Sequence, residues 1–131
     1  MTSVQEDKIH SSMQGLCDNV LNLDNVRFAG LVSNHGNLYA GGFKEGIIPY
    51  EDDEKRRLIY MRFALESCLR SDFDDSFGAF IYSTVQREKV SILTINICDH
   101  ILLVFAEPDI DLHTLAGRIQ SIIDENEAIF H

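Results

Sequence analysis

The sequence predicts an α+β fold, a three-layer α/β/α sandwich built on one five-stranded antiparallel sheet. Three observations predict it. Apolar residues recur at helical spacing in three segments, β-rich runs lie between these segments, and the last run, residues 101–105, is apolar at every position. Continuous apolarity, in place of alternation, is typical of a strand that is covered on both faces. The sheet should therefore lie between two helical layers.

The first helix is predicted over residues 3–21. Ser3 and Glu6 have the capping-box spacing, in which two side chains satisfy free amides at a helix start. The apolar residues that follow are three and four positions apart and form one stripe: Ile9, Met13, Leu16 and Val20. This stripe predicts a helix packed on one side of the sheet.

A β-hairpin is predicted next, because residues 26–32 are rich in β-formers and end in Ser-Asn-His-Gly-Asn at residues 33–37. Gly and Asn tolerate positive φ, so this turn should return the chain directly into residues 38–40. Residues 41–50 lack periodicity and predict a connection. It contains Gly41-Gly42, Lys44 and Gly46, which could suggest a phosphate loop. However, the Gly-Lys-Ser/Thr end of such a loop is missing and acidic residues follow, so a flexible connection is the better interpretation.

The second helix is predicted over residues 52–70, with acids before bases as the helix dipole favours. Its main apolar face should pack on the sheet: Leu58, Met61, Leu65, Cys68 and Leu69. A rotation of about 100° per residue places Ile59 and Phe63 well away from that face, with Tyr60 at their side and Arg56 and Arg70 flanking them. A helix buried on one side only does not need a second apolar face.

The remaining strands should form an antiparallel meander over residues 78–85, 90–97 and 101–106, after a turn at 72–77. The short polar breaks between them have hairpin lengths. The final helix should begin after Pro108 with Asp109 or Asp111 as its cap, and the tail beyond Asn126 should fray. Its apolar stripe is Leu112, Leu115, Ala116, Ile119, Ile122 and Ile123.

Length and charge place the chain among soluble single domains. The 131 residues have 45% hydrophobic content and a net charge of −10, so we expect one domain over residues 1–131 with one compact core. The acidic balance makes nucleic acid or an anionic membrane an unsuitable partner. No signal peptide is visible, and the longest apolar run, residues 101–106, is too short to cross a bilayer. We therefore expect a cytoplasmic protein.

No catalytic, cofactor or metal site is predicted. Cys17, Cys68 and Cys98 are too far apart for a disulfide framework or zinc site, and we expect inert thiols that are at least partly buried. Cys98-Asp99-His100 could suggest a nucleophile, but a tight turn explains it more simply. The acidic strings lack the calcium-loop pattern and instead flank helices, and the histidines lack metal-ligand spacing. The chain is thus predicted not to be an enzyme.

The order α-β-β-α-β-β-β-α, at these lengths, resembles the layout of roadblock/LC7 domains, which are related to the longin and profilin-like folds. The likeness extends over essentially the whole chain. Four local strings also look like an uncharacterised family of archaeal roadblock-like proteins: Arg27-Phe28-Ala29-Gly30, Ala40-Gly41-Gly42, Glu45-Gly46 and Arg87-Glu88-Lys89-Val90.

The resemblance implies a dimer, with itself or with a roadblock-like paralogue, in which the second helix and the neighbouring edge strand of each subunit meet. In better understood roadblock members such dimers are platforms or regulators for small Ras-like GTPases, or subunits of scaffolds and motor complexes. No residue-level motif carries over, so a GTPase partner is an expectation by analogy.

The residues themselves also favour a dimer, because an exposed apolar helix face and an aromatic edge strand both invite pairing. The predicted interface is Arg56, Ile59, Tyr60, Phe63, Arg70, Phe80 and Tyr82. In the alternative, residues 41–50 fold over the second helix and cover Phe63. A second function left open is a small-molecule-sensing regulatory domain with its ligand between the sheet and a helix.

Overall fold

The computed structural model describes residues 3–126. Its helices are α1 (Ser3–Leu21), α2 (Asp53–Arg70), α3 (Asp74–Phe77) and α4 (Leu112–Glu125), with a 3-10 turn at Ser71–Phe73. Its strands are β1 (Val26–Ser33), β2 (Leu38–Phe43), β3 (Tyr82–Gln86), β4 (Ser91–Ile97) and β5 (His100–Ala106).

The five strands form one antiparallel sheet in the order β2-β1-β5-β4-β3. Strand β5 lies at its centre, and its residues from Ile101 to Ala106 are all buried. The central position that continuous apolarity predicts is therefore confirmed, as is the five-stranded antiparallel sheet. β2 and β3 form the two edges.

Helices cover both faces of the sheet. On one face, α1 and α4 pack on a large apolar cluster to which Leu16, Leu31, Val104 and Ile119 contribute fully buried side chains. On the other face, α2 packs on a smaller and more aromatic cluster: Phe28, Val32, Tyr60, Phe63, Leu103 and Phe105. The sandwich has the three predicted layers.

The β1–β2 turn also touches α2. Gly36 in this turn has φ +84°, and a Cβ there would lie 2.9 Å from the Cα of Met61. The hydroxyl of Ser33 accepts from the amides of His35 and Asn37, which fixes the turn. The predicted hairpin is therefore present, and its turn fits closely against the helix that covers the neighbouring face.

Two boundaries differ from the prediction. Gly41 and Gly42 belong to β2 and not to the connection, because a chain with no side chain at Gly41 can pass against the carbonyl of Ala29. Lys44 donates to the carbonyl of Leu23, which removes its ammonium from any phosphate cradle. Strand β3 begins only at Tyr82, since Gly78 at φ +84° ends α3 and the chain is not yet paired at Phe80.

The segment predicted as a turn over residues 72–77 consists of the 3-10 turn and α3. Helix α4 begins as predicted, with Asp111 as its cap: its carboxylate accepts from the amides of His113 and Thr114. The predicted fraying of the tail beyond Asn126 lies outside the described residues.

Candidate functional site

The face of α2 that packs on the sheet is formed by Tyr60, Phe63 and Ala64, which are 5%, 8% and 4% exposed. The Tyr60 ring stacks on Phe28 with centroids 6.2 Å apart. Burial raises the pKa of the Tyr60 hydroxyl to about 12, although the nearby Arg56 lowers it. These aromatic side chains are core residues of the α2 layer and not surface residues.

The opposite face of α2 is apolar and open to solvent. Leu58, Met61, Leu65 and Leu69 are 60%, 57%, 60% and 56% exposed. These four side chains, spaced three or four residues apart on α2, are called the α2 outer face below. Cys68 beside them is also exposed.

The predicted orientation of α2 is therefore wrong, and the two faces are exchanged. Tyr60 and Phe63 were expected outside and lie inside, Ile59 is half-buried against the same cluster, and the stripe expected on the sheet lies outside. The reason lies in the sheet surface that α2 covers, which is aromatic: the ring centroids of Phe28 and Phe105 lie 5.0 Å apart there. The rings of Tyr60 and Phe63 join those of Phe28 and Phe105 in one cluster, and contacts between aromatic rings favour their burial over that of the Leu and Met side chains.

The same packing excludes the alternative in which residues 41–50 cover an exposed Phe63, because the sheet itself covers that ring. The segment lies instead beside the start of α2. There Phe43 packs edge-on against Phe28, and the ring of Tyr50 lies 4.4 Å from the Arg27 guanidinium.

The two arginines of the predicted interface lie near the two ends of α2. Arg56 pairs with Glu51 at 3.4 Å and Asp53 at 3.0 Å, and its guanidinium lies over the Phe43 ring. It is therefore held within its own subunit.

Arg70 lies 4.3 Å over the Phe80 ring and 3.6 Å from Glu66. Its Nη1 is buried and has no hydrogen-bond acceptor among the described residues. Arg70 and Phe80 adjoin a surface groove of about 340 Å³ that Phe73 and Phe77 also line. An unpaired guanidinium donor beside exposed aromatic rings is suited to a carbonyl or carboxylate of another chain.

The last predicted interface residue, Tyr82, lies on the other face of the sheet. Its hydroxyl is 2.9 Å from Nδ1 of His113 on α4, and it packs with the α1–α4 cluster. Strand β3 nevertheless forms an edge, since it pairs only with β4. Ile81, directly before the strand, is 71% exposed, and Val85 within it is 39% exposed. The structure thus brings Arg70 and Phe80 together and separates Tyr82 from them.

The expected burial of the cysteines is correct for one of three. Cys17 is buried, and burial raises the pKa of its thiol to about 12, whereas Cys68 and Cys98 are exposed. Cys98 lies in the β4–β5 turn with φ +52°. The sequence predicted this turn, and a residue in a turn is commonly exposed. The α2 outer face, which sequence reasoning assigned to the core, is the surface it missed.

Two kinds of feature are absent from residues 3–126. No group of three or more His, Cys, Asp or Glu side chains in this part of the chain is arranged to hold a metal ion. None of the helices there is long and apolar enough to cross a membrane.

The sheet order and the helices on its two faces match the roadblock/LC7 fold. The family of the chain follows from its sequence. Residues 6–130 match a family of unknown function, DUF6659, and the chain belongs to this family.

Solved structures of roadblock type are similar to it. The gliding protein MglB of Thermus thermophilus has a TM-score of 0.73 and 14% identity over 93% of this chain and 90% of that one. Myxococcus xanthus MglB has a TM-score of 0.71 and 18% identity, over 92% of this chain and 89% of that one. A Streptomyces avermitilis roadblock/LC7 domain has a TM-score of 0.65 and 12% identity, over 88% of this chain and 94% of that one. Among curated proteins none matches.

Proposed function

We propose that this protein is a single-domain, non-enzymatic interaction module of the cytoplasm, similar to archaeal roadblock-like proteins. It associates with a second copy, or with a roadblock-like paralogue, through the α2 outer face and strand β3. The resulting dimer serves as a scaffold or regulator of a small Ras-like GTPase. The observation that carries the proposal is the exposure of Leu58, Met61, Leu65 and Leu69 on one helix face.

An apolar stripe of this kind is unusual on a monomer, where contiguous exposed apolar patches commonly mark partner contacts. A twofold dimer uses the same patch on both subunits, so it would cover eight such side chains. Full burial of a Leu or Met side chain contributes about 1.5–3 kcal/mol, and these are already partly covered. The total is comparable with the roughly 4–15 kcal/mol that association costs in lost freedom.

Because the free energy of burial and the cost of association are similar, a stable dimer also needs contacts from the edge strand. Within residues 3–126 the outer edge of β3 pairs with no other strand, and pairing with a second β3 would use the backbone groups of this edge and extend the sheet. The unpaired Nη1 of Arg70 beside Phe80 supplies a further donor close to the start of this strand. A dimer that uses both α2 and β3 is thus more stable than one that uses either alone.

Charge favours the same side of the molecule. Helix α2 contains five basic and three acidic residues in a chain whose net charge is −10. Two copies that meet through α2 avoid bringing their acidic parts together, so the repulsion between them is smallest in this orientation.

The dimer is tested by light scattering after gel filtration on Met61→Glu and Leu65→Glu. Arg118→Glu, at an exposed position on α4, is the matched control. We expect a dimer for the unmodified chain and the control, and a folded monomer for the two α2 variants, because a buried unpaired carboxylate opposes association. A monomeric unmodified chain, or dimeric α2 variants, would contradict the proposed interface.

The GTPase partner rests on the roadblock resemblance and needs its own test. The tagged protein is incubated with native cytoplasm, and retained proteins are identified by mass spectrometry. We expect a small GTP-binding protein, which is then purified and titrated in its GDP and GTP forms against the unmodified chain and Met61→Glu. Equal binding of both nucleotide forms would argue against regulation, and the absence of any GTPase would remove this part of the proposal.

A further inference from the structure

A cavity of about 200 Å³ lies between the start of α2, the segment that precedes it and the α2 side of the sheet. Its walls are mostly apolar: Phe43, Ile59, Val90, Ile92 and Phe105. All five belong to the aromatic cluster under α2 or pack against it. The cavity is therefore a gap in the α2 layer of the core, on the face away from α1 and α4.

The volume is sufficient for one small ring. An engineered apolar cavity of about 150 Å³ stays dry and takes up benzene, so a somewhat larger one accommodates a six-membered ring with a short substituent. The rings of Phe43 and Phe105 in the wall favour an aromatic guest, since aromatic pairs gain from edge-on and offset contacts.

The cavity is reached from solvent beside the β3–β4 turn. Tyr50, Arg87 and Val90 line both the cavity and a wider surface cleft of about 760 Å³. Tyr50 is 60% exposed, so its ring lies at the boundary between the cavity and water. A guest can therefore place its ring inside and a polar substituent at this opening.

The charged side chains around the opening determine which polar substituent of the guest is favoured there. Of the charged side chains that line the cavity, Glu51 pairs with Arg56 at 3.4 Å and Arg27 pairs with Glu107 at 3.0 Å. Arg87 has no ion pair among the described residues, so its guanidinium is the unneutralised charge of the lining. Lys89, which lies 5.8 Å over the Tyr50 ring, adds a second cation in the cleft, although Glu88 lies there too.

We propose that this cavity binds a small aromatic carboxylate, with the ring against Phe43 and Phe105 and the carboxylate at Arg87. Guanidinium and carboxylate form charge-assisted, often bidentate hydrogen bonds, which a neutral amide cannot reproduce. The α2 outer face does not line this cavity. Failure of the ligand to bind would therefore not contradict the proposed dimer, and a monomeric protein would not contradict this site.

The test is a titration with phenylacetate and its neutral isostere phenylacetamide, followed by methyl resonances and by the melting temperature. We expect saturable phenylacetate binding that moves the methyl signals of Ile59, Val90 and Ile92 and raises the melting temperature. Phenylacetamide should bind at least about tenfold more weakly, because the charge-assisted bond is lost. Ile119 lies in the other cluster and its methyl signals should stay unchanged.

Two variants and a control separate the contributions. Arg87→Gln should reduce the affinity for phenylacetate to that for phenylacetamide, whereas Arg118→Gln on α4 should leave it unchanged. Val90→Phe should fill the cavity and abolish the binding of both probes. If neither probe saturates in the unmodified chain, or if phenylacetate moves the Ile119 signals and not those of the cavity, the proposal is wrong, whether or not Val90→Phe folds.

Discussion

Phe63 and Leu65 are two positions apart on α2 and have opposite roles. Phe63 is 8% exposed in the cluster on the sheet, and Leu65 is 60% exposed on the outer face. Phe63→Ala should therefore lower the free energy of unfolding by about 3–5 kcal/mol, since it removes a buried ring and leaves a cavity. Leu65→Ala should change it by less than about 0.5 kcal/mol, as surface substitutions do.

Urea denaturation measures both changes in the Met61→Glu background, where dimer formation does not contribute to the unfolding equilibrium. Equal losses for the two variants would show that α2 packs on the sheet with both faces in use or rotated from the observed orientation. A loss for Leu65→Ala alone would restore the orientation that the sequence predicted.

The cap of α4 gives a pH dependence with a definite sign. The Thr114 hydroxyl donates to Asp111 at 2.9 Å, and with the amides of Thr114 and His113 it holds the pKa of this carboxyl below its usual value of 3.8. A lowered pKa means that the ionised cap stabilises the fold above the unfolded value and that this contribution is lost as pH falls through the folded value.

Asp111→Ala should therefore melt at a lower temperature than the unmodified chain at about pH 7, and the difference should narrow below about pH 3.8. Asp109→Ala, an exposed neighbour outside the cap, is the control and should show little difference at either pH. A gap between Asp111→Ala and the unmodified chain that stays constant down to low pH would show that the ionised cap contributes nothing.

At the scale of elements, the β1–β2 turn and α2 are fitted to one another. Gly36→Ala should cost roughly 1–3 kcal/mol, because φ +84° strains any L side chain and the new Cβ would press on the backbone of Met61. Gly42→Ala is the matched control, since nothing lies within 4 Å of a Cβ there. Thermal unfolding of both variants measures the difference, and a Gly36→Ala protein as stable as Gly42→Ala would contradict this fit.

The order of these elements could be predicted from local patterns, because each pattern reports on its own segment. The uniform apolarity of residues 101–105 placed β5 at the centre, and the Asn-His-Gly-Asn turn predicted the first hairpin. The patterns also revealed that α2 has two apolar faces. Which of them packs inward depends on the rings of Phe28 and Phe105 across the sheet, and no local pattern contains that long-range contact.

The same limit applies to the cavity and to Tyr82. The cavity is formed by Phe43, Ile59, Ile92 and Phe105, which come from four separate elements or segments. Tyr82 is predicted at the interface because it lies on an aromatic edge strand, whereas its pairing with Ile95 directs its side chain toward α4. The surroundings of a side chain that depend on strand register, or on how three elements pack together, cannot be predicted from the pattern of one segment.

For the whole molecule, the charge is uneven along the chain. Residues 1–25 have a net charge of −3, residues 26–98 of −1, and residues 99–131 of −6. The first and last segments contain α1 and α4, which share one face of the sheet, while α2 lies on the other. The helices themselves follow the same division, since α1 and α4 both contain more acidic than basic residues and α2 contains more basic ones. The helical layer left to solvent or to a basic partner when two copies meet through α2 is therefore the acidic one.

This distribution predicts how salt affects the proposed dimer. At low ionic strength the field of one acidic subunit still reaches the other, whereas at about 0.1 M salt it is screened within about 10 Å. The contacts that favour association on the α2 outer face are apolar and are not weakened by screening. Raising the salt from about 0.05 M to about 0.5 M should therefore strengthen the dimer, by a modest factor, in sedimentation equilibrium. A dimer held by ion pairs between subunits would weaken over the same range, and that result would exclude an apolar interface centred on Met61 and Leu65.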